Sequence, residues 1–317
     1  MKYIMALRGA IEELIAEHGT YVIGEDIEEP YGGAFKVTKG LSEKYPEHMI
    51  GTPMSEQGFT ALSIGMALMG DYVIEEIMFG DFITLTADQL VNHAAKFYDL
   101  YGQKLHLTVR TPSGGYRGYG ATHSQSLEKM FLGIPGLSVL AANAYSDPGE
   151  LLKQAMESGK PTLFIENKLD YPRELVLNDF DIFTREESDG RVRIGIKGEK
   201  PKQTIVTYGG MSVLAVEAAK RLAYEEEIMT EVILVSDLND TDLPADSVRT
   251  DKVLVAEEGT VSFGWGAQIA GVLRQQGKQA WNYGAKDSFL PAAKQAEDSV
   301  LLQTEDIIRE AVKKECL

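Results

Sequence analysis

Residues 51–70, GTPMSEQGFTALSIGMALMG, predict a tight turn that leads into a largely apolar helix. Ser55 stands at the position of an N-cap residue, Glu56 falls in the first turn, and Gly70 marks the end of the helix. The pattern predicts a buried helix that carries a single carboxylate at its N-terminus.

Small residues recur along one face of this predicted helix. Gly58, Ala61 and Gly65 follow one another at helical spacing, although each glycine costs about 1 kcal/mol of helix propensity. Such a face lets another backbone approach closely, which favours a buried acid at an interface as the interpretation of Glu56. The alternative is that Glu56 stays solvated and only interacts favourably with the helix dipole. The local sequence leaves both interpretations open.

The composition and charge are those of an ordinary globular protein. The chain has 317 residues, enough for two domains, with 44% hydrophobic and 25% charged residues. A formal net charge of −17 argues against nucleic acid or an anionic membrane as the main partner. Residues 1–19 predict an amphipathic helix and not a signal peptide, and no apolar run approaches the roughly 18 residues of a membrane span. The only cysteine, Cys316, cannot form a disulfide within the chain. We expect a soluble, cytoplasmic protein.

Short apolar strands, glycine-rich loops and helices alternate along the chain. This alternation predicts α/β architecture with a parallel sheet and with functional sites at the strand ends. A second α/β block follows the first. The predicted strands are 21–24, 72–78, 105–110, 138–142, 161–166, 204–208, 231–235, 252–256 and 279–283, and the predicted later helices are 86–98, 147–157, 211–224 and 304–314.

Residues 186–203, EESDGRVRIGIKGEKPKQ, are charged and have no helical period. They are the best candidate for a domain boundary. The sequence therefore predicts a first domain over 1–185, a linker over 186–203 and a second domain over 204–317.

Most motifs with a defined chemistry are absent from the sequence. The segment GWGAQIAG, residues 264–271, is not a dinucleotide fingerprint, because its third glycine is too far from the second and the following strand ends without an acid. A close strand-to-helix turn explains it better. The histidines show no metal-ligand spacing, so a zinc site is not expected.

Two histidines lie near predicted loops or helices that could carry a site. His93 is in the middle of a predicted helix, where a structural, hydrogen-bonded histidine is the expectation. His123 follows the glycine-rich segment GYRGYGAT in a loop after a strand, where an imidazole could transfer protons or stabilise an anion. The local sequence does not decide between a structural and a functional role for His123.

Several segments in a fixed order resemble one family. The chain resembles the beta subunit of the thiamine-diphosphate-dependent decarboxylating component of 2-oxo acid dehydrogenase complexes, over nearly all of residues 3–180 and more weakly in the C-terminal block. The resemblance implies a transketolase-like pyrimidine-binding domain followed by a transketolase C-terminal domain. It is carried by GEDIEEPYGGAFKVTKGL (24–41), TPMSEQGF (52–59), ADQLVNHAAK (87–96), ATHSQS (121–126), IPGLSVL (134–140), PTLFIENKLDY (161–171), VTYGG (206–210) and GWGAQIA (264–270).

The resemblance implies roles for four residues. Glu56 matches the glutamate that bonds the aminopyrimidine ring of thiamine diphosphate, which requires a carboxyl shielded from water. Phe82 matches the aromatic residue that packs on this ring, and Glu25 matches a nearby acid at a strand end. His123 matches a loop histidine that assists proton transfer and acylation of the lipoyl group.

The diphosphate half of such a cofactor site is missing from the sequence. In the superfamily, a Gly-Asp-Gly followed by an asparagine holds diphosphate and magnesium, and here segments 70–72 and 80–82 both fail at the third position. The resemblance therefore implies an alpha subunit in an alpha2beta2 heterotetramer that shares the thiamine diphosphate and holds the magnesium. A lipoyl acyltransferase and a small 2-oxo acid are the other expected partners, with neither nucleic acid nor a membrane among them.

Three departures from the family pattern affect these expectations. Residues 236–242, SDLNDTD, are acidic where relatives are basic, which puts in doubt contacts of this loop to the alpha subunit or an acyltransferase. Asp81 replaces an asparagine before the aromatic residue. Tyr116, Arg117 and Tyr119 enrich the loop before His123, which leaves an unusual substrate or acceptor open.

The resemblance also implies positions equivalent to a potassium site. They are Leu107, Ala155, Met156, Ser158 and Lys160, with serine and lysine where relatives have aspartate and asparagine. Two cations this close repel by roughly 4 kcal/mol at an intermediate dielectric. The sequence therefore predicts that potassium is absent and that the Lys160 ammonium takes its place. The alternative is a lysine that points into solvent.

Three functions are consistent with these observations. The first is the beta subunit of a 2-oxo acid decarboxylating dehydrogenase that passes its acyl group to lipoamide. The second is a two-subunit transketolase or acyloin-forming carboligase with another acceptor. The third is a non-catalytic interaction subunit of the same fold, which the joint presence of Glu56, Phe82 and His123 disfavours.

Overall fold

The computed structural model describes residues 1–241, 243 and 247–315. The chain divides into two compact units. The first unit consists of residues 1–113, 130–142 and 147–175. The second consists of residues 114–129, 143–146 and the described residues from 176 onward. Cys316, like Asp242 of the acidic loop, lies outside the described residues.

The first unit is built on a six-stranded parallel sheet in the order β2-β1-β3-β4-β6-β5. Strands β3, β4 and β6 are buried at every position, as expected for a parallel sheet covered on both faces. The strands are β1 (Tyr21–Gly24), β2 (Met49–Gly51), β3 (Val73–Glu76), β4 (Leu107–Ser113), β5 (Ser138–Ala141) and β6 (Thr162–Asn167), and the helices are α1 (Tyr3–His18), α2 (Leu41–Lys44), α3 (Glu56–Leu68), α4 (Ala95–Tyr101) and α5 (Pro148–Ser158).

Helices α1 and α5 pack against each other on the first sheet. Gly149 in the first turn of α5 permits this, because a Cβ there would lie 2.6 Å from the carbonyl oxygen of Ala6. Asp147 caps α5, since its Oδ1 accepts hydrogen bonds from the amides of Gly149 at 2.9 Å and Glu150 at 3.3 Å. The helix pair thereby covers one face of the sheet and closes an apolar core.

The second unit contains a mixed sheet in the order β12-β11-β9-β10-β8-β7. Strands β9 to β12 are parallel, whereas β8 runs antiparallel to β10 and to β7. The prediction of two α/β blocks is confirmed. The strands are β7 (Phe183–Ser188), β8 (Arg191–Ile196), β9 (Gln203–Tyr208), β10 (Thr230–Val235), β11 (Lys252–Thr260) and β12 (Gln279–Ala285), and the helices are α6 (Met211–Glu225), α7 (Trp265–Gln275), α8 (Lys294–Asp298) and α9 (Thr304–Glu315).

Residues 186–203, for which the sequence predicts a linker, contain most of the β7–β8 hairpin and the first residue of β9. The hairpin follows from period-two alternation within a charged segment. Val192 and Ile194 are buried in the core of the second unit, and the arginines beside them are half-buried. This segment is therefore part of the second sheet. The remaining predicted domain boundaries stay a prediction.

The region after β3 is divided into three short helical segments where the sequence predicts one helix over 86–98. A 3₁₀ helix covers Gly80–Thr86, a π-helical turn covers Gln89–Ala94, and α4 follows. Threonine hydroxyls bond to carbonyls three residues earlier, Thr84 to Asp81 at 3.1 Å and Thr86 to Ile83 at 2.9 Å. These bonds favour the tighter 3₁₀ turn. None of the helices in the described residues has the length and apolar character that crossing a membrane requires.

Candidate functional site

The carboxyl ends of the parallel strands bring the predicted cofactor residues to one edge of the first sheet. Glu25 follows β1 directly, and the amide of Thr52 donates to the carbonyl of Gly24 at 3.0 Å, which ties the turn before α3 to this strand end. Helix α3 begins at Glu56 and packs against the 3₁₀ helix that contains Phe82. Glu25 and Glu56 are thus close together at this edge of the first unit, and the 3₁₀ helix that contains Phe82 packs against the helix of Glu56.

Glu25 is a buried acid, with 7% of its surface exposed. Burial raises its pKa and the nearby Glu56 carboxylate raises it further, whereas the backbone amide of Ser55 lowers it by donating a hydrogen bond. Its Oε1 is buried and makes no hydrogen bond within the described residues. A buried carboxyl with an unused oxygen is suited to accept a donor from a bound molecule.

Glu56 is the first residue of α3 and is half-buried. Ser55 is the N-cap residue, as the sequence predicts, although its hydroxyl makes no capping bond. Its Oγ instead occupies the space beside Gly58, where a Cβ would lie 2.7 Å away. The helix buries the side of Phe59, and the face of Gly58, Ala61 and Gly65 is exposed in this chain. The predicted buried helix is therefore buried on one side only.

Phe82 belongs to a chain of aromatic rings that leads into the core of the first unit. Its ring lies edge-on to Phe79, with centroids 6.0 Å apart, and Phe79 lies edge-on to Phe35 at 5.6 Å. Phe35 stacks on Tyr171 at 5.3 Å, and the ammonium of Lys168 lies 5.4 Å from the centroid of Phe79. These contacts fix the direction in which the half-buried Phe82 ring points.

A buried charge network lies next to this aromatic chain. Arg110 of β4 donates two bonds to Glu166, at 2.7 and 2.6 Å, and a third to Glu76. Tyr171 donates to Glu166 at 2.7 Å. Burial raises the pKa of Glu76, and Arg110 counteracts this shift. The sequence analysis missed this network, because two acids and one arginine in separate strands leave no local pattern.

His123 lies in the segment 114–129, which belongs to the second unit. The imidazole is half-buried, its Nδ1 lies 2.9 Å from the hydroxyl of Thr122, and its amide donates to the carbonyl of Gly120 at 3.3 Å. Gly114, Gly118 and Gly120 all adopt positive φ angles, between 69° and 93°, which explains why this loop is rich in glycine.

Two carboxylates that the sequence analysis missed hold this loop. Glu258 accepts a hydrogen bond from the amide of Gly115 at 2.5 Å, and Glu297 accepts one from Gly118 at 2.9 Å. The hydroxyl of Tyr116 donates to the carbonyl of Leu302 at 2.6 Å. The tyrosine singled out as a departure from the family thus anchors the loop.

The segment GWGAQIAG is a strand-to-helix turn, as the sequence predicts, and its glycines make room for a carboxylate. Glu257 in the second half of β11 accepts bonds from the amides of Trp265 at 3.1 Å and Gly266 at 2.9 Å. A Cβ on Gly264 would collide with this carboxylate. Burial raises the pKa of Glu257 to about 8, although the two amides oppose the shift. The buried acid fills the space where a dinucleotide fold would place phosphate.

Two carbonyls at the positions equivalent to a potassium site already have side-chain partners within the chain. The carbonyl of Met156 lies 2.7 Å from Nδ1 of His106, and that of Ala155 accepts a bond from the hydroxyl of Ser158 at 2.7 Å. Lys160 is half-buried, and its amide donates to Oγ of Ser158 at 3.1 Å. The substitution of a cation by the Lys160 ammonium stays a prediction. Leu107 is the first residue of β4, a strand that contacts α5.

The remaining candidate histidine is not in the protein interior. His93 is exposed in the π-helical turn, with Nε2 3.7 Å from Asp88. The structural histidine that the sequence predicts is thus a surface residue. The described residues contain no group of three His, Cys, Asp or Glu side chains that could hold a metal ion.

Two family models match the chain. Residues 1–174 match the pyrimidine-binding domain of transketolase, and residues 193–307 match the transketolase C-terminal domain. The pyruvate dehydrogenase E1 component subunit beta of Rickettsia felis is 35% identical, over 98% of this chain and 97% of its own length. This chain belongs to the pyruvate dehydrogenase E1 beta-subunit family.

Other comparisons agree with this family. Subunit beta-1 of the mitochondrial pyruvate dehydrogenase E1 component from Arabidopsis thaliana is 33% identical, over 98% of this chain and 88% of its own. A solved structure described as a split-gene transketolase, an inactive beta4 tetramer, superposes with a TM-score of 0.75 over 99% of this chain and 98% of its own, at 22% identity. The structural similarity supports the fold alone.

Membership of this E1 beta-subunit family implies thiamine diphosphate as the cofactor. The residues of the first unit fit half of that molecule. Glu25 offers a buried, unbonded carboxyl oxygen, Glu56 stands at the start of a helix, and Phe82 offers a ring held by its aromatic neighbours. The fit concerns the pyrimidine end of the cofactor.

Proposed function

We propose that this chain is the beta subunit of a 2-oxo acid decarboxylating dehydrogenase that transfers its acyl group to lipoamide and needs an alpha subunit for activity. The observation that carries the proposal is the pair Glu25 and Glu56 at the edge of the first sheet. One acid is buried with an unused oxygen, and the other begins an apolar helix beside Phe82. These are the groups that the pyrimidine half of the cofactor requires.

Each of these side chains has a task that follows from its surroundings. When bound, thiamine diphosphate would act as the electron sink for the electron pair that remains on the carbonyl carbon of a 2-oxo acid when its carboxylate leaves as CO₂. Glu56 holds a proton at the ring nitrogen of the pyrimidine, and Phe82 orients that ring. Glu25 is close enough to Glu56 for the two carboxylates to repel, and its raised pKa limits the negative charge beside Glu56.

The missing diphosphate motif supports a shared cofactor, with diphosphate and magnesium held by the alpha subunit. The exposed face of α3 is a surface that such a partner can cover, since Gly58, Ala61 and Gly65 leave room for a backbone. Met54 and Met69 flank this face and are 87% and 85% exposed. An alpha2beta2 heterotetramer is consistent with the names of the relatives as E1 component subunits.

The first prediction concerns this division of the cofactor site. Titration of thiamine diphosphate and Mg²⁺ into the purified chain is expected to give no saturable heat, because the sequence lacks the Gly-Asp-Gly motif that holds the diphosphate in the superfamily. Titration into the complex with the alpha subunit is expected to give a saturable, magnesium-dependent signal. Tight magnesium-dependent binding by the chain alone would contradict the two-subunit proposal.

The second prediction separates lipoamide from other acceptors through His123. Replacement of His123 by alanine is expected to reduce acyl transfer to lipoamide by about 10²-fold or more, the range of a lost acid–base group. Decarboxylation followed with an artificial electron acceptor is expected to fall much less. Thr122→Val, which removes the neighbouring hydroxyl, serves as the matched control. Equal losses in both assays of His123→Ala would favour the transketolase or carboligase alternative.

Two finer points belong to the proposal. The acidic segment 236–242 is partly neutralised in the chain, since Asp240 pairs with Arg191 of β8. An acidic docking segment would favour a basic surface on a lipoyl acyltransferase, and the pair with Arg191 reduces this attraction. The cytoplasmic location that the sequence predicts stays a prediction, because the relatives include a mitochondrial protein.

A further inference from the structure

Glu75 is a buried acid that the proposed chemistry does not use. It lies in β3 next to Glu76, and both side chains are buried because the sheet is covered on both faces. Glu76 pairs with Arg110, whereas Glu75 faces α3 and is 0% exposed. An ionised carboxylate at such a place requires a cation or several donors.

The contacts of the Thr60 hydroxyl indicate the protonation state of the Glu75 carboxyl. Its Oγ1 lies 2.6 Å from the carbonyl oxygen of Glu56 and 2.5 Å from Oε1 of Glu75. A hydroxyl carries one proton, and a carbonyl can only accept a hydrogen bond. When Thr60 donates to Glu56, the proton in the second contact must come from Glu75. Both hydrogen bonds can therefore form at the same time only when Glu75 is a neutral carboxylic acid.

Among the described residues, no cation favours the charged form of Glu75. Its register partners on the adjacent strands are Ile23 and Val109, and the groups of α3 that interact with it are Thr60 and Ser63. Ser63 donates its own proton to the carbonyl of Phe59 at 2.9 Å. No titratable or charged group of the described residues contributes to the pKa of Glu75.

The pKa agrees with this geometry. Burial raises the pKa of Glu75 from 4.5 to about 7, and the hydroxyls of Thr60 and Ser63 reduce the shift. The stabilisation from the protonated side chain is complete below the unfolded pKa and is lost as the pH rises through about 7. Ionisation of Glu75 would also draw the only proton of Thr60 away from the carbonyl of Glu56.

We propose that Glu75 is a positioning residue for Glu56, which as a neutral acid holds the first turn of α3 through Thr60 and releases it when it ionises. The proposal rests on the proposed function, in which Glu56 contacts the cofactor. A displacement of Glu56 by a fraction of an ångström is enough to lower turnover, since catalytic geometry is sensitive to shifts on the order of 1 Å.

The first test follows hydrogen exchange in the full chain, without cofactor or partner. Peptides from residues 56–64 are compared between the wild type and Glu75→Gln, whose amide donates to Thr60 at every pH. Comparison of the two proteins at the same pH cancels the intrinsic exchange rates. We expect equal exchange near about pH 5.5 and exchange at least about threefold faster in the wild type near about pH 8.5. An equal ratio at both pH values would overturn the proposal.

The second test records kcat/KM of the reconstituted complex against pH. In Glu75→Gln the alkaline decline is expected to move upward by about one pH unit or more. Glu75→Leu, which does not ionise and leaves the Thr60 proton on the carbonyl of Glu56, is expected to move the alkaline decline upward as Glu75→Gln does. Superimposable profiles of the wild type and Glu75→Gln would exclude a positioning role.

Asp170→Asn is the matched control for both tests. Burial raises the pKa of Asp170 to about 7 as well, but its partner is Arg173 and not α3. Asp170→Asn is expected to leave the pH profile and the hydrogen exchange of residues 56–64 as in the wild type. If it changed them as much as Glu75→Gln does, the effect would be a general one of removing a buried acid. A complex without 2-oxo acid decarboxylation would overturn the proposed function, while the exchange experiment would still decide on Glu75.

Discussion

Replacement of Glu56 by glutamine is expected to lower the turnover of the complete enzyme by about 10²–10⁴-fold, the contribution typical of a general acid or base. Glutamine keeps the volume of the side chain and one carbonyl oxygen but cannot share a proton with the pyrimidine. The measurement is kcat of the reconstituted complex at saturating cofactor.

The neighbouring residue provides the control for this substitution. Gln57 lies on the exposed side of α3, one residue further along, and Gln57→Ala tests whether any change in this turn is harmful. We expect Gln57→Ala to keep most of the activity and both variants to unfold at the wild-type temperature. Retention of more than about a tenth of the turnover in Glu56→Gln would be inconsistent with an acid–base role.

The sequence predicts much of the fold because local patterns coincide with the packing. The strand that precedes Glu25, the helix that begins at Glu56 and the strand that ends at Asn167 all lie within one or two residues of their predicted bounds. Each has a strong period or an apolar run of the right length. The hairpin over 183–196 has only two buried positions in its second strand, Val192 and Ile194, and its charges concealed that pattern.

The candidate site was accessible to sequence reasoning only through its motifs. Glu25, Glu56, Phe82 and His123 lie in segments that resemble a family, and their assigned roles stay predictions. Long-range partners left no such signal. Glu297 bonds to a loop 179 residues away, and no pattern in a single sequence relates two such positions.

The two consecutive acids of β3 show why burial cannot be deduced from residue type. In a strand with one exposed face, one of Glu75 and Glu76 would point into water. Here both are buried, because helices cover both faces of a parallel sheet. Arg110 compensates the charge of Glu76, whereas Glu75 avoids a charge by keeping its proton. Only the tertiary structure distinguishes these two cases.

Replacement of Arg110 by methionine is expected to destabilise the protein by about 3–5 kcal/mol, the cost typical of removing one partner from a buried ion pair. Arg110 is 1% exposed and is shared by two buried carboxylates, Glu76 and Glu166. Without the guanidinium, each acid must take up a proton or remain charged in the interior. Urea denaturation at neutral pH measures the loss.

The stability lost in Arg110→Met is expected to increase as the pH rises. Burial already raises the pKa of Glu76, and Arg110 is the main influence that lowers it. Its removal moves this pKa further up, so stability that is present at acidic pH is lost as the pH rises. The deficit of Arg110→Met is therefore expected to be largest at neutral and alkaline pH and to shrink on acidification. A deficit independent of pH would indicate lost packing in place of uncompensated charge.

Two further variants serve as controls for Arg110→Met: one removes a cation from the surface, and the other removes the unpaired acids from the core. Lys153 pairs with Glu13 at 2.8 Å and Glu150 at 2.6 Å on the surface, and Lys153→Met is expected to cost at most about 1 kcal/mol. Addition of Glu76→Gln and Glu166→Gln to Arg110→Met removes the unpaired acids and is expected to restore most of the stability. Tyr171 bonds to Glu166 and stacks on Phe35, which belongs to the same chain of aromatic rings as Phe82. The triple variant therefore also tests whether the orientation of the Phe82 ring depends on the buried charges. Restored stability with weakened cofactor binding by the complex would show that the buried charges orient the aromatic chain as well as supporting the fold.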